Sequence, residues 1–577
     1  MFNRYYQQEL AYLRELAAEF SRAHPALAPS LSGQSTDPDV ERLLEGVAFS
    51  TGLLRQKLDD ELPEVIHGLT DLVFPHYLRP MPSTSVVTFS PKPALKESMT
   101  VDRGTELASV PVSGTACRFQ TCFDVEVHPL RLTRAAVSEE TGRSVHIRLD
   151  FSLLGSDLSS WSVDHLRFFL GGDYAEAADR YLLLNRYVRR IRITPARGGS
   201  PLDLDPDHLR PAGLAENEAL IPYPGHAFPG YRLIQEYFLL PRKFLFMDLT
   251  GLEKWKDRGA GTQFDITFEL VDPPFFPRQI KPEHFTLFAT PVINIFSHSA
   301  DPISLEHRHA EYPVRPSGND ATHFQVYAVQ KVTGIVQGSV QRKTYLPFEG
   351  FSDSGEAEAM YQVLRRRSVV DDRARVFLIL PYSDGSGPPV RETLSLEMLC
   401  TNGQLAENLQ LGDISVPTAS SPVLLDFANI TPVTAPAEPP LGKNVLWRFL
   451  SHLSINFLSL ADVTALRELL NLYIFSDSRD QARIAANRKR ISGIESLAIH
   501  PEERLVSVHM MRGQRIQLDI RQDHFACTGD LFLFGSVMDR FFSVYASMNT
   551  FTRLRLRDTI KGEEYRWPSR LGGEALL

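Results

Sequence analysis

The chain of 577 residues carries 61 basic and 70 acidic residues, a net charge of −9, and 43% of its residues are hydrophobic. This composition excludes a disordered chain and indicates a folded protein of about three to five domains, with no chain-wide electrostatic footprint for nucleic acid or an anionic membrane. Four scattered cysteines exclude a disulfide scaffold and indicate a reducing compartment.

The first eighty residues are predicted to be helical. A helix over residues 4–24 carries apolar residues spaced four and three apart, which line one narrow face: Tyr6, Leu10, Leu13, Ala17 and Phe20. A second helix begins at Asp37-Pro38 and repeats the pattern with Val40, Leu44, Val47, Thr51, Leu54 and Leu58. A third covers about residues 64–74. These apolar seams fit a subdomain folded on itself and a bundle shared with another chain equally well.

From Ser83 onward the pattern changes to period-two alternation, which predicts short β-strands, as in TSVVTFSPKP and CRFQTCFDVEVHPLRLTRAAV. One helical insertion is predicted over about 175–193, just after the Gly-Gly turn that ends HLRFFLGGD. Further strands are predicted over 244–252, 264–271, 324–336 and 374–383. The segment 402–440, rich in Thr, Pro, Ala and Ser, is typical of an extended connection.

The last region is predicted to mix helices and strands. It opens with another seam, Leu446, Leu450, Leu453, Phe457 and Leu460, followed by a shorter helix over 463–473. RLVSVHM and RIQLDIR predict a hairpin around Arg512-Gly513, and a helix over about 530–548 carries Phe534, Met538, Phe541 and Tyr545 on one face. Residues 441–577 hold 19 basic and 15 acidic residues, so this end of an acidic chain is modestly basic.

The predicted fold class is therefore α+β and multidomain. It comprises a helical region over 1–82, a first β-rich region over 83–290 with a helical insertion near 175–190, a second β-rich region with a linker over 291–440, and an α+β domain over 441–577.

No sequence motif for catalysis or nucleotide binding is present: GxxxxGK[ST], GxSxG, HExxH and GxGxxG are all missing. The nearest approach to a metal site is LEHRHAEYPVRP, where His307 and His309 would share one face of a strand, close to Glu306, Glu311 and the later His323. No third ligand stands at a recognisable spacing, so we expect no metal site and no cofactor.

Two other patterns have plain structural interpretations. The basic helix SRDQARIAANRKR, with Arg479, Arg483, Arg488, Lys489 and Arg490, lacks interleaved aromatic residues, so a solvated face or a protein contact is favoured over single-stranded nucleic acid. Cys117 and Cys122 would lie on opposite faces of one strand, which favours separate buried thiols over a shared site. No apolar stretch reaches the ~18 residues of a membrane span, and the charged N-terminal segment does not resemble a signal peptide, so we expect a cytoplasmic protein.

Five segments carry a family resemblance: YYQQELAYLRELAAEFSRAHP, DPDVERLLEGVAF, VFPHYLRPMPS, GYRLIQEYFLLPRKFLFMDLTGL and LFLFGSVMDRFFSVYASMNTF. In order, and over nearly the whole chain, they resemble the TssF family (VasA/ImpG), baseplate subunits of the bacterial type VI secretion system. The resemblance implies a fold similar to contractile phage-tail baseplate wedge proteins, with wing-like β modules, and a structural role rather than an enzymatic one.

The resemblance also implies the partners. Two copies join one TssG in a wedge with a shared helical bundle, TssK links the wedge to the inner-membrane complex, and six wedges surround the VgrG spike hub beneath TssE for effector delivery. The implied interface residues lie on the apolar seams: Tyr6, Leu10, Leu13, Phe20, Leu44, Val47, Leu54 and Leu58.

Three alternatives stay open at this point. The nearest is the equivalent wedge subunit of another contractile injection system. A metal-dependent hydrolase would use His307 and His309, and a nucleic-acid-binding module would use Arg479–Arg490.

Overall fold

A computed structural model of the chain describes residues 2–23, 38–39, 41–53, 70, 74–140, 144–223, 230–276, 279–306, 308–318, 321–336, 342–348, 359–368, 373–380, 391–441, 462–475, 479–506, 509–544, 546 and 550–572. The chain divides into two units. The helical unit comprises Met1–Val73 and Leu441–Leu450, and the β-rich unit comprises Phe74–Pro440 and Ser451–Leu577.

Seven α-helices are described. They are α1 (Phe2–Ala23), α2 (helical at 38–39 and 41–53), α3 (Tyr174–Arg186), α4 (Gly230–Leu239), α5 (Val463–Leu472), α6 (Gln481–Ser492) and α7 (Thr528–Val544). Short 3-10 helices lie at Pro75–Leu78, Pro206–His208, Glu216–Glu218, Pro241–Phe244, Leu252–Lys254, Pro282–His284, Ala321–His323, Gly403–Asn408 and Gln522–His524.

The strands up to residue 300 are β1 (Thr84–Pro91), β2 (Met99–Val101), β3 (Glu106–Val112), β4 (Thr115–Thr121), β5 (Val125–Val127), β6 (Leu130–Glu140), β7 (Ser144–Leu153), β8 (His165–Phe169), β9 (Val188–Pro195), β10 (Leu202–Leu204), β11 (Leu209–Ala212), β12 (Phe246–Thr250), β13 (Gln263–Val271), β14 (Thr286–Leu287), β15 (Ala289–Ile293) and β16 (Phe296–Ser299). The remaining strands are β17 (Ile303–Leu305), β18 (Glu311–Pro313), β19 (Gln325–Val336), β20 (Arg342–Pro347), β21 (Met360–Arg367), β22 (Ala374–Ile379), β23 (Glu392–Thr401), β24 (Leu425–Asn429), β25 (Ile494–Val506), β26 (His509–Ile520), β27 (Thr550–Asp558), β28 (Glu564–Arg566) and β29 (Arg570–Leu571).

Most of these strands form five sheets. Their orders are β24-β1-β15-β4-β3, β10-β9-β13-β7-β6, β11-β12-β8-β14, β16-β23-β19-β20-β21-β22-β18 with β17 on β23, and β25-β26-β27-β28 with β29 on β27. The first sheet brings together strands that are more than 300 residues apart, since Thr88 of β1 pairs with Ala428 of β24. The fifth, called the C-terminal sheet below, combines an antiparallel hairpin with the parallel pair β26 and β27.

The apolar faces of these elements form the cores of the β-rich unit. In the eight-stranded sheet, Val332, Leu378, Leu394 and Met398 are fully buried. In the C-terminal sheet, α7 packs closely on β27, because Gly535 leaves no room for a side chain against Trp567 and Leu556. Phe534 and Phe541, which were predicted to share one face of this helix, are buried. These cores confirm a mixed α and β, multidomain protein.

Three predictions in the β-rich unit are wrong in detail. The predicted helix over 175–193 ends at Arg186, because Val188, Ile191 and Ile193 alternate with arginines and continue as strand β9. The connection over 402–440 is more than a linker, since it supplies β24.

The third error concerns the hairpin near Gly513. Gly513 lies inside β26 opposite Glu502 and forms no turn. The ring of Phe551 occupies the space where a Cβ would stand on Gly513, so the glycine is needed for a close cross-strand contact.

Candidate assembly surface

The helical unit positions the predicted interface residues on α1 and α2. Arg14 of α1 and Glu41 of α2 form an ion pair with a 2.8 Å distance between the guanidinium nitrogen and the carboxylate oxygen. Ala17 and Ala48 are buried, as is Gly52. Small residues therefore occupy the buried positions of the two helices.

Among the described residues of the predicted seams, Ala17 is buried and the predicted interface residues are partly or fully exposed. Tyr6, Leu10, Leu13 and Leu44 are half-buried, whereas Phe20 and Val47 are exposed. Leu54 and Leu58 lie outside the described residues, as do the third predicted helix apart from Thr70 and Phe74, and the seam from Leu446 to Leu460. The described seam residues thus form a half-open apolar strip.

Besides the predicted Phe20 and Val47, five exposed apolar side chains of these helices were missed by the sequence interpretation: Tyr12, Leu16, Leu43, Phe49 and Leu53. Seven large apolar residues of α1 and α2 are between 41% and 69% exposed: Tyr12, Leu16, Phe20, Leu43, Val47, Phe49 and Leu53. A helical projection of α1 shows why, because Tyr12 and Leu16 widen the apolar arc beyond the narrow set of seam positions. Counting the full arc would have found them. We call these seven residues the exposed apolar set.

Seven large exposed apolar residues on two helices are more than the scattered single ones that are normal on a protein surface, and such a concentration indicates an interaction site. The ion pair between Arg14 and Glu41 adds little stability to the helix pair, because both side chains are about half exposed. The arrangement is therefore able to bury apolar area against a partner, and it offers no chemistry beyond that.

In contrast to the exposed ion pair between Arg14 and Glu41, the β-rich unit contains a polar network that is buried. The fully buried carboxylate of Asp530, at the start of α7, accepts hydrogen bonds from Arg490 at 2.9 and 3.0 Å and from the hydroxyl of Tyr174 at 2.7 Å. Burial raises the pKa of Tyr174, and Asp530 adds to this. Burial alone lowers the pKa of Arg490, but Tyr237, Tyr174 and Asp530 outweigh it and raise that pKa above its ordinary value. Arg490 stays charged, so the network locks α3, α6 and α7 together.

The histidine cluster does not assemble as a metal site in the described part of the chain. Residues 308–310 lie between β17 and β18, so the predicted strand face is wrong, and His307 is outside the described residues. Glu311 pairs with Arg366 at 2.7 Å, and His323 hydrogen-bonds Thr115 at 2.8 Å. Among the residues that the structure describes, no group of three or more histidines, cysteines and carboxylates is arranged to hold a metal ion.

The basic helix directs part of its charge inward. Arg490 is buried on Asp530, and Arg483 donates to the carbonyl oxygens of Leu239 and Ala435, with its pKa lowered by burial. Arg479 contacts Glu407 and Gln404. Of the basic residues of α6, Arg488 and Lys489 are exposed and the other two are directed inward, so a continuous basic face is not formed.

Cys117 and Cys122 are separate buried thiols, as expected. Burial raises the pKa of Cys117 to about 11 and that of Cys122 to about 12. The prediction that both cysteines lie on one strand is wrong, because Cys122 follows the end of β4. Across the described ranges, no helix is both long and apolar enough to cross a membrane.

Comparison with known proteins agrees with the sequence resemblance. The family model "Type VI secretion system, TssF" matches residues 1–574. The type VI secretion system component TssF1 of Pseudomonas aeruginosa is 32% identical over 630 aligned positions, covering 99% of each chain.

Two solved structures share the fold. A chain of a TssK-TssF-TssG baseplate subcomplex, solved by cryo-electron microscopy, has a TM-score of 0.77 and 30% identity, covering 92% of this chain and 98% of its own length. A chain of a type VI secretion system baseplate complex has a TM-score of 0.63 and 26% identity over the full length of both chains.

Proposed function

The chain belongs to the TssF family of the type VI secretion system, and from this membership we propose that it is a structural, non-catalytic subunit of the secretion baseplate. Its relative of known structure lies in a subcomplex with TssK and TssG. The same association is the function that the similarity supports best for this chain.

The finer proposal concerns the wedge. Two copies of the chain join one TssG through a bundle of helices, TssK attaches to this wedge, and the wedges surround the VgrG hub beneath TssE. The baseplate then docks in the cytoplasm on the inner-membrane complex. Within the chain, we propose the four regions 1–82, 83–290, 291–440 and 441–577 as the working parts of the wedge subunit.

The observation that carries the proposal is the exposed apolar set of α1 and α2. Seven large apolar side chains share a short stretch of two helices and remain 41–69% exposed in the isolated chain. Burying such a side chain stabilises a complex by about 1.5–3 kcal/mol at most, so a helical partner that covers several of them gains enough to form a lasting interface. Leu10, Leu13 and Leu44, which are half-buried, lie on the same two helices.

The test is co-purification of the full chain with its cognate TssG. Changing Leu10 and Leu13 to Asp places charges on the seam, and we expect the complex to be lost because a carboxylate in an apolar interface is left without a partner. An intact wedge recovered from this variant contradicts the bundle role. A wild-type chain that is folded but does not co-purify with TssG contradicts the proposed function as a whole.

A further inference from the structure

The C-terminal sheet has one face covered by α7 and one face turned away from it. On β27, Leu554 and Leu556 are buried, and Leu556 lies against Gly535 of α7. Because side chains alternate along a strand, Arg553, Arg555 and Arg557 lie on the opposite face. The register extends this outer face to the neighbouring strands.

The outer face is rich in arginine. Arg515 of β26 is the direct neighbour of Arg553, and Arg566 of β28 is the direct neighbour of Arg555. With Arg504 of β25, the face carries six arginines: Arg504, Arg515, Arg553, Arg555, Arg557 and Arg566. Successive arginines on β27 are two residues apart, which is about 6.8 Å along a strand.

Three carboxylates lie on the same face, and each is already engaged. Asp519 binds Arg557 through two hydrogen bonds of 3.0 and 2.9 Å. Glu502 lies 3.3 Å from Arg553, and Glu564 lies 2.8 Å from Arg566 and 3.8 Å from Arg555. Six cations against three anions leave an excess of three positive charges on this face.

Arg504 is exposed and donates to the hydroxyl oxygen of Ser569 at 2.7 Å. A second positive charge without a carboxylate partner is that of Arg515. Among the described residues, no carboxylate lies within ion-pair distance of its guanidinium group, and its direct cross-strand neighbour is another arginine. Like charges that face each other across a sheet are destabilising. Beside it, the Nε of Arg555 is buried and has no hydrogen-bond acceptor in the described structure. The guanidinium group of Arg515 is therefore available to pair with an added anionic group.

We propose that the outer face of the C-terminal sheet binds a carboxylate-rich, extended segment of a partner protein. Glutamates at alternate positions of an extended chain repeat at the same interval of about 6.8 Å as the arginines of β27. Arginine binds carboxylates through two parallel hydrogen bonds, which suits this pairing. The surface lies in the β-rich unit and is independent of the helices that we propose as the TssG interface.

The test uses the purified full chain and a fluorescein-labelled octapeptide in which glutamate alternates with alanine. Fluorescence anisotropy at 50 mM salt is expected to show binding that weakens at 200 mM salt. The counterpart with glutamine in place of glutamate is expected to bind at least tenfold more weakly. Binding that is equal for the two peptides, or undetectable for both, overturns the proposal.

Variants locate the binding on this face. We expect R515Q, and more strongly R515Q/R553Q, to weaken binding of the glutamate peptide, the double variant by at least fivefold. The matched control R131Q/R134Q removes two exposed arginines of β6 and is expected to change binding by less than twofold. R515Q alone keeps the test valid if the double variant fails to fold, since Arg515 makes no ion pair in the described structure.

Two outcomes contradict the assignment. Equal losses in R515Q/R553Q and in the control show a non-specific charge effect. Tighter binding of an eight-nucleotide single-stranded DNA than of the glutamate peptide shows a nucleic-acid surface instead of a protein-binding one.

Discussion

The helices α1 and α7 both carry apolar stripes, but they differ in how far the rest of the chain buries them. Of the 17 residues of α7, 13 are buried against the C-terminal sheet and its neighbouring helices. Along the 22 residues of α1, Ala17 is the one buried side chain among those described. An apolar stripe that the chain covers by itself builds a core, whereas one that it leaves open is available to another chain.

The polar groups of the two regions also differ in burial. At the start of α7, the buried Asp530 accepts hydrogen bonds from three other helices, through Arg490 of α6, Tyr174 of α3 and Tyr237 of α4. On α1, the ion pair between Arg14 and Glu41 is open to water. Substitutions around α7 should therefore act on stability, and substitutions on α1 and α2 should act on association.

The largest effect is expected from Asp530→Ala. The change leaves the guanidinium group of Arg490 buried without its carboxylate, which costs about 3–5 kcal/mol. Urea unfolding of the full chain, followed by tryptophan fluorescence, measures the loss. The exposed ion pair is the matched control: Glu41→Ala should lower stability by about 0–1 kcal/mol. Equal effects of the two substitutions would remove the distinction between the regions.

A smaller effect of about 2 kcal/mol is expected from pH, through Asp539 of α7. Burial raises the pKa of this carboxyl group to about 6, although Arg570 opposes the shift, whereas in an unfolded chain it titrates near 3.9. Between about pH 4 and 6 the folded protein therefore keeps a proton that the unfolded chain has released. The contribution of Asp539 to stability is full below about pH 4 and is lost as the pH rises to about 6.

Asp539→Asn isolates this contribution, because the amide does not titrate. We expect the difference in unfolding free energy between the wild-type chain and this variant to change by about 2 kcal/mol between pH 4 and 7. A constant difference across this range contradicts the buried, proton-holding carboxyl group.

On α1 and α2, Leu16→Asp and Val47→Asp should weaken association and leave folding stability almost unchanged. Both side chains are exposed, so the free energy of unfolding should change by less than about 0.5 kcal/mol. Binding to TssG, measured by co-purification and by biolayer interferometry, should weaken at least tenfold because a charge enters the apolar contact. Unchanged binding in both variants would separate the exposed apolar set from assembly.

The smallest effect is expected from Val423→Asp in the β-rich unit. This side chain is 81% exposed, and the substitution adds the same charge at a site outside the helical unit. Unfolding free energy should shift by less than about 0.5 kcal/mol, and TssG binding should stay within twofold of the wild-type value. A loss equal to that of Leu16→Asp would show that added charge, rather than position, weakens the complex.

Periodicity alone predicted much of the fold. The spacing of Tyr6, Leu10 and Leu13 gave α1 correctly, and the alternation in FQVYAVQKVTGIV gave β19. It failed at Val188, where a helical pattern and an alternating one overlap. It failed again at Gly513, because a glycine in a turn and a glycine beneath the ring of Phe551 have the same letter.

The candidate surface was predicted in part. The spacing of apolar residues along the helices identified Leu10, Leu44 and Val47 as candidate interface residues. It selects the residues in the middle of each apolar seam and omits those beside it. The most exposed large apolar residue among those described on the two helices, Leu43, lies to one side of that seam. Exposure depends on which neighbour covers each side chain, and a helical pattern contains no information about neighbours. The arginines of β27 can likewise be read from the sequence. That they lie beside Arg515 and Arg566 follows only from the register of the strands in the sheet.

The central claim is that the open helices of this chain are completed by a partner. Native mass spectrometry of the chain co-expressed with its cognate TssG tests it most directly. We predict a complex of two copies of the chain and one TssG, and its loss when Leu16 and Val47 are both changed to Asp. A wild-type chain that remains monomeric in the presence of TssG, or a double variant that gives the same complex, would contradict the account.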